Sequence, residues 1–146
     1  MKFTAVLGAL AAFVVPQVAL AQSTVKVTYD LNYKNSTVPL NSTACSNGVN
    51  GLETRGYPTL GSLPTYPNTT GIPGLTWNST LCGSCWTLSY TFSNGTTTKV
   101  TVTAVDAAST FNMAPQPFGF LAGIDGYEAG SVQATAIQVA ASECGL

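Results

Sequence analysis

Alternating apolar and polar positions predict that this chain folds mainly into β-strands. Residues 24–29 alternate in this way, which is typical of a strand with one buried face. Residues 86–92 and 96–105 repeat the pattern on either side of a short turn. A last strand is predicted over residues 131–140, where the alternation shifts by one position and indicates a β-bulge. A helix is the alternative for this alanine-rich segment.

The turn between the two central strands decides which of their residues pair. A two-residue turn would set Leu88 opposite Thr101 and would mix core with surface positions. A three-residue loop over residues 93–95 pairs Leu88 with Val100 and places Gly95 where a left-handed residue is needed. Because burial decides the register of a half-buried strand, we predict the three-residue loop.

The segments between these strands carry residues that favour turns and irregular structure. Residues 31–51 are rich in Asn, Ser and Thr and predict a loop. Residues 56–74 contain four prolines and four glycines, which predicts an ordered irregular connection rather than a strand pair. Residues 118–122 form a short apolar stretch that predicts one or two helical turns. Short strands separated by such segments, with little helix, are typical of a small barrel.

The first 21 residues have the features of a secretory signal peptide. Lys2 precedes an apolar run over residues 5–15, and residues 19–21 form a small-x-small cleavage site. A membrane anchor is the alternative, but the run is shorter than the roughly 20 apolar residues that span a bilayer. No second long apolar run follows, so we expect residues 22–146 to be one soluble domain, secreted to the extracellular space or cell wall.

Four cysteines and the absence of histidine from the sequence limit the chemistry of this domain. Export to an oxidising compartment favours two structural disulfides, for which four cysteines allow three pairings. One alternative is a zinc ion bound by all four thiolates. Another is a redox-active pair of Cys82 and Cys85, although such pairs belong to strand–helix–strand units and nothing after Cys85 indicates a helix. Without histidine there is no base for a serine or cysteine triad and no histidine-liganded metal site, and we predict no cofactor.

The chain carries unusually little charge. Charged residues make up 8% of it, against about 25% in typical soluble domains. Beyond residue 21, four basic residues face six acidic ones, so there is no phosphate-neutralising patch and nucleic acid is not an expected partner. N-linked glycans are another source of solubility, and we expect two or three of five Asn-x-Ser/Thr sequons to be used. The sequon residues are Asn35, Asn41, Asn68, Asn78 and Asn94.

An ordered set of short motifs runs through nearly all of residues 22–146. The motifs are Val27-Thr28-Tyr29-Asp30, Cys45-Ser46-Asn47-Gly48, Trp77-Asn78, Cys82-Gly83-Ser84-Cys85-Trp86, Val105-Asp106, Phe111-Asn112, Gln138-Val139-Ala140-Ala141 and Cys144-Gly145-Leu146. This set resembles the cerato-platanin family of small secreted fungal proteins. The resemblance implies a mainly β fold, a six-stranded double-psi β-barrel like that of expansins and certain endoglucanases. It also implies the disulfide pairs Cys45–Cys82 and Cys85–Cys144.

The resemblance further implies a function at polysaccharide surfaces. Members of the family are linked to binding chitin-type N-acetylglucosamine oligomers and to expansin-like loosening of polysaccharides without hydrolysis. They are also linked to self-assembly at interfaces and to eliciting plant defences, for which a host receptor would be a partner. Some members carry histidine after the strand-end aspartate, where this chain has Ala107. Any imidazole contribution to ligand contact or proton transfer is therefore absent.

A small group of residues are the candidates for contact with carbohydrate. They are Asp106, Asp30, Tyr29 and Asn112, with Trp77 and Trp86 as rings that could stack on sugars. The resemblance places Asp106 at the carboxylate that expansin-like barrels carry in their groove, where it would accept hydrogen bonds from sugar hydroxyls or amides. The alternative is that Asp106 caps a turn or helix. Asp30 and Tyr29 combine a strand-end carboxylate with an aromatic ring, Asn112 offers an amide, and Trp86 is expected in the core.

We predict a secreted, non-catalytic protein that binds polysaccharide or oligosaccharide chains of the chitin or cellulose type. The first alternative is a surface-active structural protein of the fungal wall that assembles at air–water or wall interfaces, which the low charge favours. The second alternative is a weak endoglucanase with Asp106 as the acid and Asp30 as the base, since glycosidases generally need two carboxylates. No metal and no membrane span are expected in any of these cases.

Overall fold

The fold is a closed barrel of six β-strands, and the computed structural model describes residues 21–146 of the chain. The strands are β1 (Gln22–Tyr29), β2 (Thr69–Ile72), β3 (Cys85–Thr91), β4 (Thr97–Ala107), β5 (Phe111–Met113) and β6 (Ser131–Val139). Within this described part, one α-helix, α1 (Pro115–Ala129), packs on the barrel. Short 3₁₀ helices lie at Leu31–Lys34, Leu40–Ser42, Leu60–Ser62 and Ala141–Cys144. The predicted signal peptide, residues 1–21, lies outside the described residues apart from Ala21 and stays a prediction.

The order of strands around the barrel is β1-β5-β2-β4-β3-β6, and β6 closes the ring on β1. The pairs β1–β5 and β2–β4 are parallel, and the other four pairs are antiparallel. Closure leaves no free sheet edge at which another strand would pair. The predicted six-stranded double-psi barrel is confirmed.

The hairpin between β3 and β4 has the predicted register. Leu88 pairs with Val100, and both side chains are buried. The loop closes where the Phe92 N–H donates to the Thr96 carbonyl at 2.8 Å, which leaves three residues in the turn. Gly95 adopts a φ of +84°, the left-handed conformation expected for it. Burial of the two apolar rows therefore fixes the pairing, as the sequence pattern indicates.

Aliphatic side chains from around the ring fill the barrel, and α1 covers it from one side. The fully buried strand residues include Val27, Leu88, Val102, Met113 and Ala136, to which α1 adds Phe118 and Leu121. The helix ends at Gly130, which has a left-handed φ of +75° and donates its N–H to the carbonyls of the last turn. Gly123 interrupts the helix with a φ of +68°, and a Cβ at this position would lie 3.0 Å from the Phe92 ring. The kink therefore lets the helix pass close to the hairpin.

Two disulfides meet at the start of β3. Cys45–Cys82 joins the long loop after β1 to the segment before β3, and Cys85–Cys144 joins the first residue of β3 to the last 3₁₀ helix. The bonds connect residues 37 and 59 positions apart, so loop-closure entropy gives each a stabilisation of about 4 kcal/mol. The pairing that the resemblance implies is confirmed, and both the zinc site and the Cys82–Cys85 redox pair are wrong.

The sequence pattern misses two strands and shortens the helix. β2 lies within residues 56–74, for which the pattern predicts only irregular structure, and all four of its residues are buried. β5 has only three residues. Strands that are short or covered on both faces show no alternation, and so they leave no signal. α1 exceeds the predicted one or two turns because Pro115 and Pro117 lie in its first turn, where proline is tolerated.

The bulge predicted in the last strand is also wrong. β6 pairs with both β1 and β3 without a register shift. The apolar Ile137 suggests the shift in alternation because it directly follows the apolar Ala136. Ala136 is fully buried and Ile137 is half-buried, so Ile137 is an apolar residue on the outer face of an unshifted strand. An irregularity instead lies in the pairing of β2 with β4, between Thr70 and Gly71.

Candidate functional site

The Asp106 carboxylate lies near the end of β4 and is held by three hydrogen bonds. Its Oδ1 accepts from the backbone N–H groups of Ala44 and Ala107, each at 2.8 Å. Its Oδ2 accepts from the Tyr33 hydroxyl at 3.2 Å. The side chain is half-buried. Asp106 therefore fixes the loop after β1 to the end of β4, so part of the structural role considered for it is present.

Tyr33 is buried, and its hydroxyl serves as a donor to this carboxylate. Burial raises the pKa of the Tyr33 hydroxyl well above its usual range, and the negative charge of Asp106 raises that pKa further. The phenol is therefore protonated at physiological pH and keeps donating its hydrogen bond. This contact therefore orients one oxygen of Asp106 at physiological pH.

Asp30 and Asp106 line one cleft with a volume of about 300 Å³. The other lining residues come from the loop after β1 and are Asn32, Tyr33, Val38, Ser42 and Thr43. Asp30 Oδ1 accepts the Asn32 N–H at 2.8 Å and so begins the 3₁₀ helix at Leu31–Lys34. The cleft thus presents two carboxylates, both anchored by backbone donors, beside hydroxyl groups. Such a set accepts hydrogen bonds from a hydroxyl-rich or amide-bearing ligand.

Asn112 lies in a row of residues that leads to Asp106 across four neighbouring strands. The row consists of Thr28 on β1, Asn112 on β5, Gly71 on β2 and Asp106 on β4, each paired with the next. The Thr28 hydroxyl donates to the Asn112 side-chain oxygen at 2.9 Å and lies 2.6 Å from the Thr110 hydroxyl. Asn112 therefore lies two strands from Asp106 and is not part of the cleft lining.

Gly71 permits the close approach of Tyr33 to Asp106. A Cβ on Gly71 would lie 3.1 Å from the Tyr33 hydroxyl and 2.9 Å from the Ala108 side chain. Neither Gly71 nor Tyr33 is singled out by the sequence pattern. A glycine inside a strand often marks a close approach of another group, which is the signal that could have pointed to Gly71. Tyr33 gives no such signal, because its partner is distant in sequence.

The structure does not bring Tyr29 into the cleft. Its ring stacks on Tyr127 of α1 with 4.5 Å between centroids and lies 5.0 Å from the ring of Phe118. These contacts give Tyr29 a packing role, in which it holds α1 against β1.

The two tryptophans have different surroundings. Trp86 is half-buried, lies edge-on to Phe111 at 5.3 Å, and donates its ring N–H to the Ser84 hydroxyl at 2.8 Å. It packs against the hydrophobic core. Trp77, in contrast, is 62% exposed.

Two chemical alternatives bear on the cleft. Within residues 21–146, no group of three or more Cys, Asp or Glu side chains is placed to hold a metal ion. The two carboxylates of the endoglucanase alternative do share the cleft. A general acid must donate a proton to the leaving oxygen, whereas all three hydrogen bonds at Asp106 use its carboxylate as an acceptor.

Apolar side chains are exposed on and beside α1. Leu31, Phe120 and Ile124 are 65%, 65% and 78% exposed. Leu31 and Ile124 border two shallow clefts that share Gly119 and Tyr127. The two clefts therefore form one largely apolar surface. Among the described residues, no helix combines the length and apolar character required to cross a membrane.

Comparisons with known proteins agree with this architecture. The model of the cerato-platanin family matches residues 25–146. The chain is 36% identical over 150 residues to the heat-stable 19 kDa antigen of Coccidioides posadasii, which covers 100% of this chain and 99% of that protein. It is 38% identical over 134 residues to cerato-platanin of Ceratocystis fimbriata f. sp. platani, which covers 90% and 93%. The crystal structure of cerato-platanin 2 from M. perniciosa matches with a TM-score of 0.78 and 37% identity, over 85% of this chain and 100% of that one.

Proposed function

This chain belongs to the cerato-platanin family, and from that premise we propose that it is a secreted, non-catalytic carbohydrate-binding protein. The ligand class is a β-linked polysaccharide or its oligomers, of the chitin or cellulose type. The observation that carries the proposal is the convergence of Asp30 and Asp106 on one cleft, each fixed by backbone N–H donors. Fixed acceptors bind a ligand without first having to be ordered.

The geometry supports weak binding of a short stretch of sugar chain. A cleft of about 300 Å³ lies at the lower end of the range for small-molecule sites. Charge-assisted hydrogen bonds contribute about 1.5–3 kcal/mol each, from which the ordering of the sugar must be subtracted. Two such bonds predict dissociation constants of about 1 mM, which corresponds to roughly 4 kcal/mol.

The proposal extends to the action of the protein on walls. Hydroxyl groups bonded to Asp30 and Asp106 are withdrawn from bonds between neighbouring polysaccharide chains, so binding would loosen the chains without cutting them. The acceptor role of Asp106 in all three of its hydrogen bonds supports loosening rather than hydrolysis. Elicitation of plant defences through a host receptor is a further part of the proposal, supported by the family resemblance alone.

Titration with hexa-N-acetylglucosamine tests the cleft, with backbone amide signals as the measurement. The N–H groups of Ala44 and Ala107 donate to Asp106, and that of Asn32 donates to Asp30, so these three signals report directly on the two carboxylates. We expect them to shift at millimolar ligand, and the shifts to be lost in Asp106→Asn.

The matched control for that experiment is Asp125→Asn, which removes an exposed carboxylate from α1 and changes net charge by the same amount. It should bind as the unmodified protein does. Unchanged Ala44, Ala107 and Asn32 signals at millimolar ligand would reject the proposed site. Release of reducing sugar that stops in Asp106→Asn would instead support the endoglucanase alternative.

Surface activity is a second candidate function, favoured by the apolar surface around Leu31 and Ile124. Exposed apolar patches mark interaction sites in proteins that are otherwise polar outside. We expect the pure protein to lower the surface tension of water, and Ile124→Ser to weaken this effect. Val49→Ser, which removes an exposed apolar side chain elsewhere, is the control. A surface tension equal to that of buffer would count against this function.

A further inference from the structure

Trp77 combines an exposed ring with a fixed orientation. The residue is 62% exposed, yet its ring N–H donates to the Asn47 side-chain oxygen at 2.9 Å. An exposed tryptophan that served no contact would gain entropy by moving freely. A largely exposed ring that is already held in place can bind a flat partner without losing further conformational entropy.

The two loops that carry this ring are tied together at several points. The Asn50 backbone N–H donates to the Asn78 side-chain oxygen at 2.9 Å, and the Asn50 side chain donates to the Asn78 carbonyl at 2.8 Å. Asn78 itself adopts a left-handed φ of +57°. A Cβ on Gly48 would lie only 2.5 Å from the Asn78 side chain, so the loops are in direct contact there. The disulfide Cys45–Cys82 joins the same two segments at their other ends.

We propose that Trp77 is a second contact for the sugar chain, a platform on which the apolar face of a pyranose ring stacks. The inference rests on the proposed function for its ligand class, and it adds a site that is separate from the lining of the Asp30–Asp106 cleft. The ring supplies apolar area for the C–H groups of the sugar, while neighbouring amides can bond its hydroxyls.

The chemistry around Trp77 favours a neutral, hydroxyl-rich ligand. Residues 44–52 and 75–82 contain no charged side chain. Neighbouring Asn47, Thr76 and Thr80 are exposed and offer neutral donors and acceptors. A nucleic acid or an anionic membrane would require basic residues at such a platform. A β-linked glycan requires only an aromatic face with polar groups around it.

The indole N–H signals of the two tryptophans test this proposal within one sample. Trp77 is identified by the signal that disappears in Trp77→Phe, and half-buried Trp86 serves as the internal control. N-glycans are removed enzymatically first, because Asn78 belongs to a sequon next to the ring. We expect hexa-N-acetylglucosamine to shift the Trp77 signal and to leave that of Trp86 in place.

Retention on insoluble chitin gives the second measurement. Trp77→Ala should bind about tenfold more weakly, a typical effect of removing an aromatic contact. Asn47→Ala keeps the ring but frees it, and should bind about threefold more weakly because the ordering entropy then opposes binding. Val49→Ser is the control on the same loop. Val49 is 82% exposed, and this variant should bind normally.

The outcomes separate this inference from the proposed function. Shifts at Ala44 and Ala107 without a shift at Trp77 overturn the proposed stacking on Trp77 and support binding in the Asp30–Asp106 cleft. A shift at Trp77 without shifts at Ala44 and Ala107 supports the platform and rejects the cleft. Failure of the oligosaccharide to shift the Trp77 signal after glycan removal overturns the proposal. Normal chitin retention by Trp77→Ala likewise overturns it.

Discussion

The Tyr33 hydroxyl and the Asp106 carboxylate, 73 residues apart in the sequence, are joined by a hydrogen bond of 3.2 Å in the wall of the cleft. The bond connects the 3₁₀ helix Leu31–Lys34 to the end of β4. A second connection, from the Ala44 N–H to the same carboxylate, holds the later part of the loop. The cleft therefore keeps its shape because one aspartate binds both parts of the loop that covers it.

Tyr33→Phe tests the energy of this connection. Loss of one hydrogen bond to a charged, half-buried acceptor should lower the free energy of unfolding by about 1.5–3 kcal/mol. Urea denaturation measures the change, and a double-mutant cycle with Asp106→Asn should give a coupling energy of at least about 0.5 kcal/mol. Tyr57→Phe, at a half-buried tyrosine packed on the core, is the control. Equal losses in the two tyrosine variants, with no coupling, would contradict the prediction.

Stability should fall at alkaline pH because of the same residue. Burial and the Asp106 carboxylate raise the pKa of Tyr33 above the value of about 10 that it has in the unfolded chain. Above about pH 10 the unfolded chain loses this proton while the folded protein retains it, so the folded state binds more protons. The free energy of unfolding is then unaffected below about pH 10 and falls above it, by up to about 1.4 kcal/mol per pH unit from this group.

Urea midpoints measured from pH 8 upward check this expectation. The fall above pH 10 should be smaller in Tyr33→Phe, which has no phenol to titrate. Identical pH profiles for this variant and the unmodified protein would show that Tyr33 does not control the effect.

Gly71→Ala should damage the cleft without touching its carboxylates. The added methyl group would lie 2.9 Å from the Ala108 side chain and 3.1 Å from the Tyr33 hydroxyl, so a neighbour must move. Overpacking of this kind costs about 1–3 kcal/mol, and displacement of Tyr33 should shift the Ala44 and Ala107 amide signals. Gly119→Ala is the matched control, since its methyl group would meet only the Tyr127 ring at 3.4 Å and the site is helical. That variant should be as stable as the native chain or slightly more so.

The sequons should differ in their glycan occupancy. Asn35, Asn41 and Asn94 are exposed, and we expect them to carry the glycans. Asn68 is half-buried, and the two threonines that follow it are fully buried in β2. Asn78 is half-buried and is held by two hydrogen bonds from Asn50, which lies 28 residues away in the sequence. Glycan release in heavy-oxygen water labels each occupied asparagine, and peptide mass spectrometry then measures the occupancy of each sequon. A glycan on most copies of Asn68 would contradict the expected order.

The sequence predicts the parts of the fold where one physical signal dominates. The β3–β4 hairpin follows from alternation, because each strand has one apolar row and only one register buries both. β2 has no such row because all four of its residues are buried, and β5, with three residues, is too short for its alternation to be recognised. The length of α1 is hidden by Gly119, Gly123 and Gly126, which weaken a helix in isolation and are tolerated here by packing.

The candidate site divides in the same way. Asp30 and Asp106 both follow from the sequence as candidates, because each lies near the end of a strand and the family motifs include both. The structure places them in one cleft, and their role in binding stays a prediction. Tyr29 is used in packing on α1, which alternation cannot distinguish from ligand contact. Tyr33 and Gly71 escape prediction because their roles exist only once distant segments have come together.

The closeness of Cys82 and Cys85 in the sequence determines what a single proteolytic cut does to the molecule. Only Gly83 and Ser84 separate the two cysteines, and their partners lie 37 residues before Cys82 and 59 residues after Cys85 in the sequence. A single cut anywhere between Cys45 and Cys82, or between Cys85 and Cys144, yields two fragments that remain covalently attached to each other. A nicked molecule would therefore migrate as one species until a reductant is added.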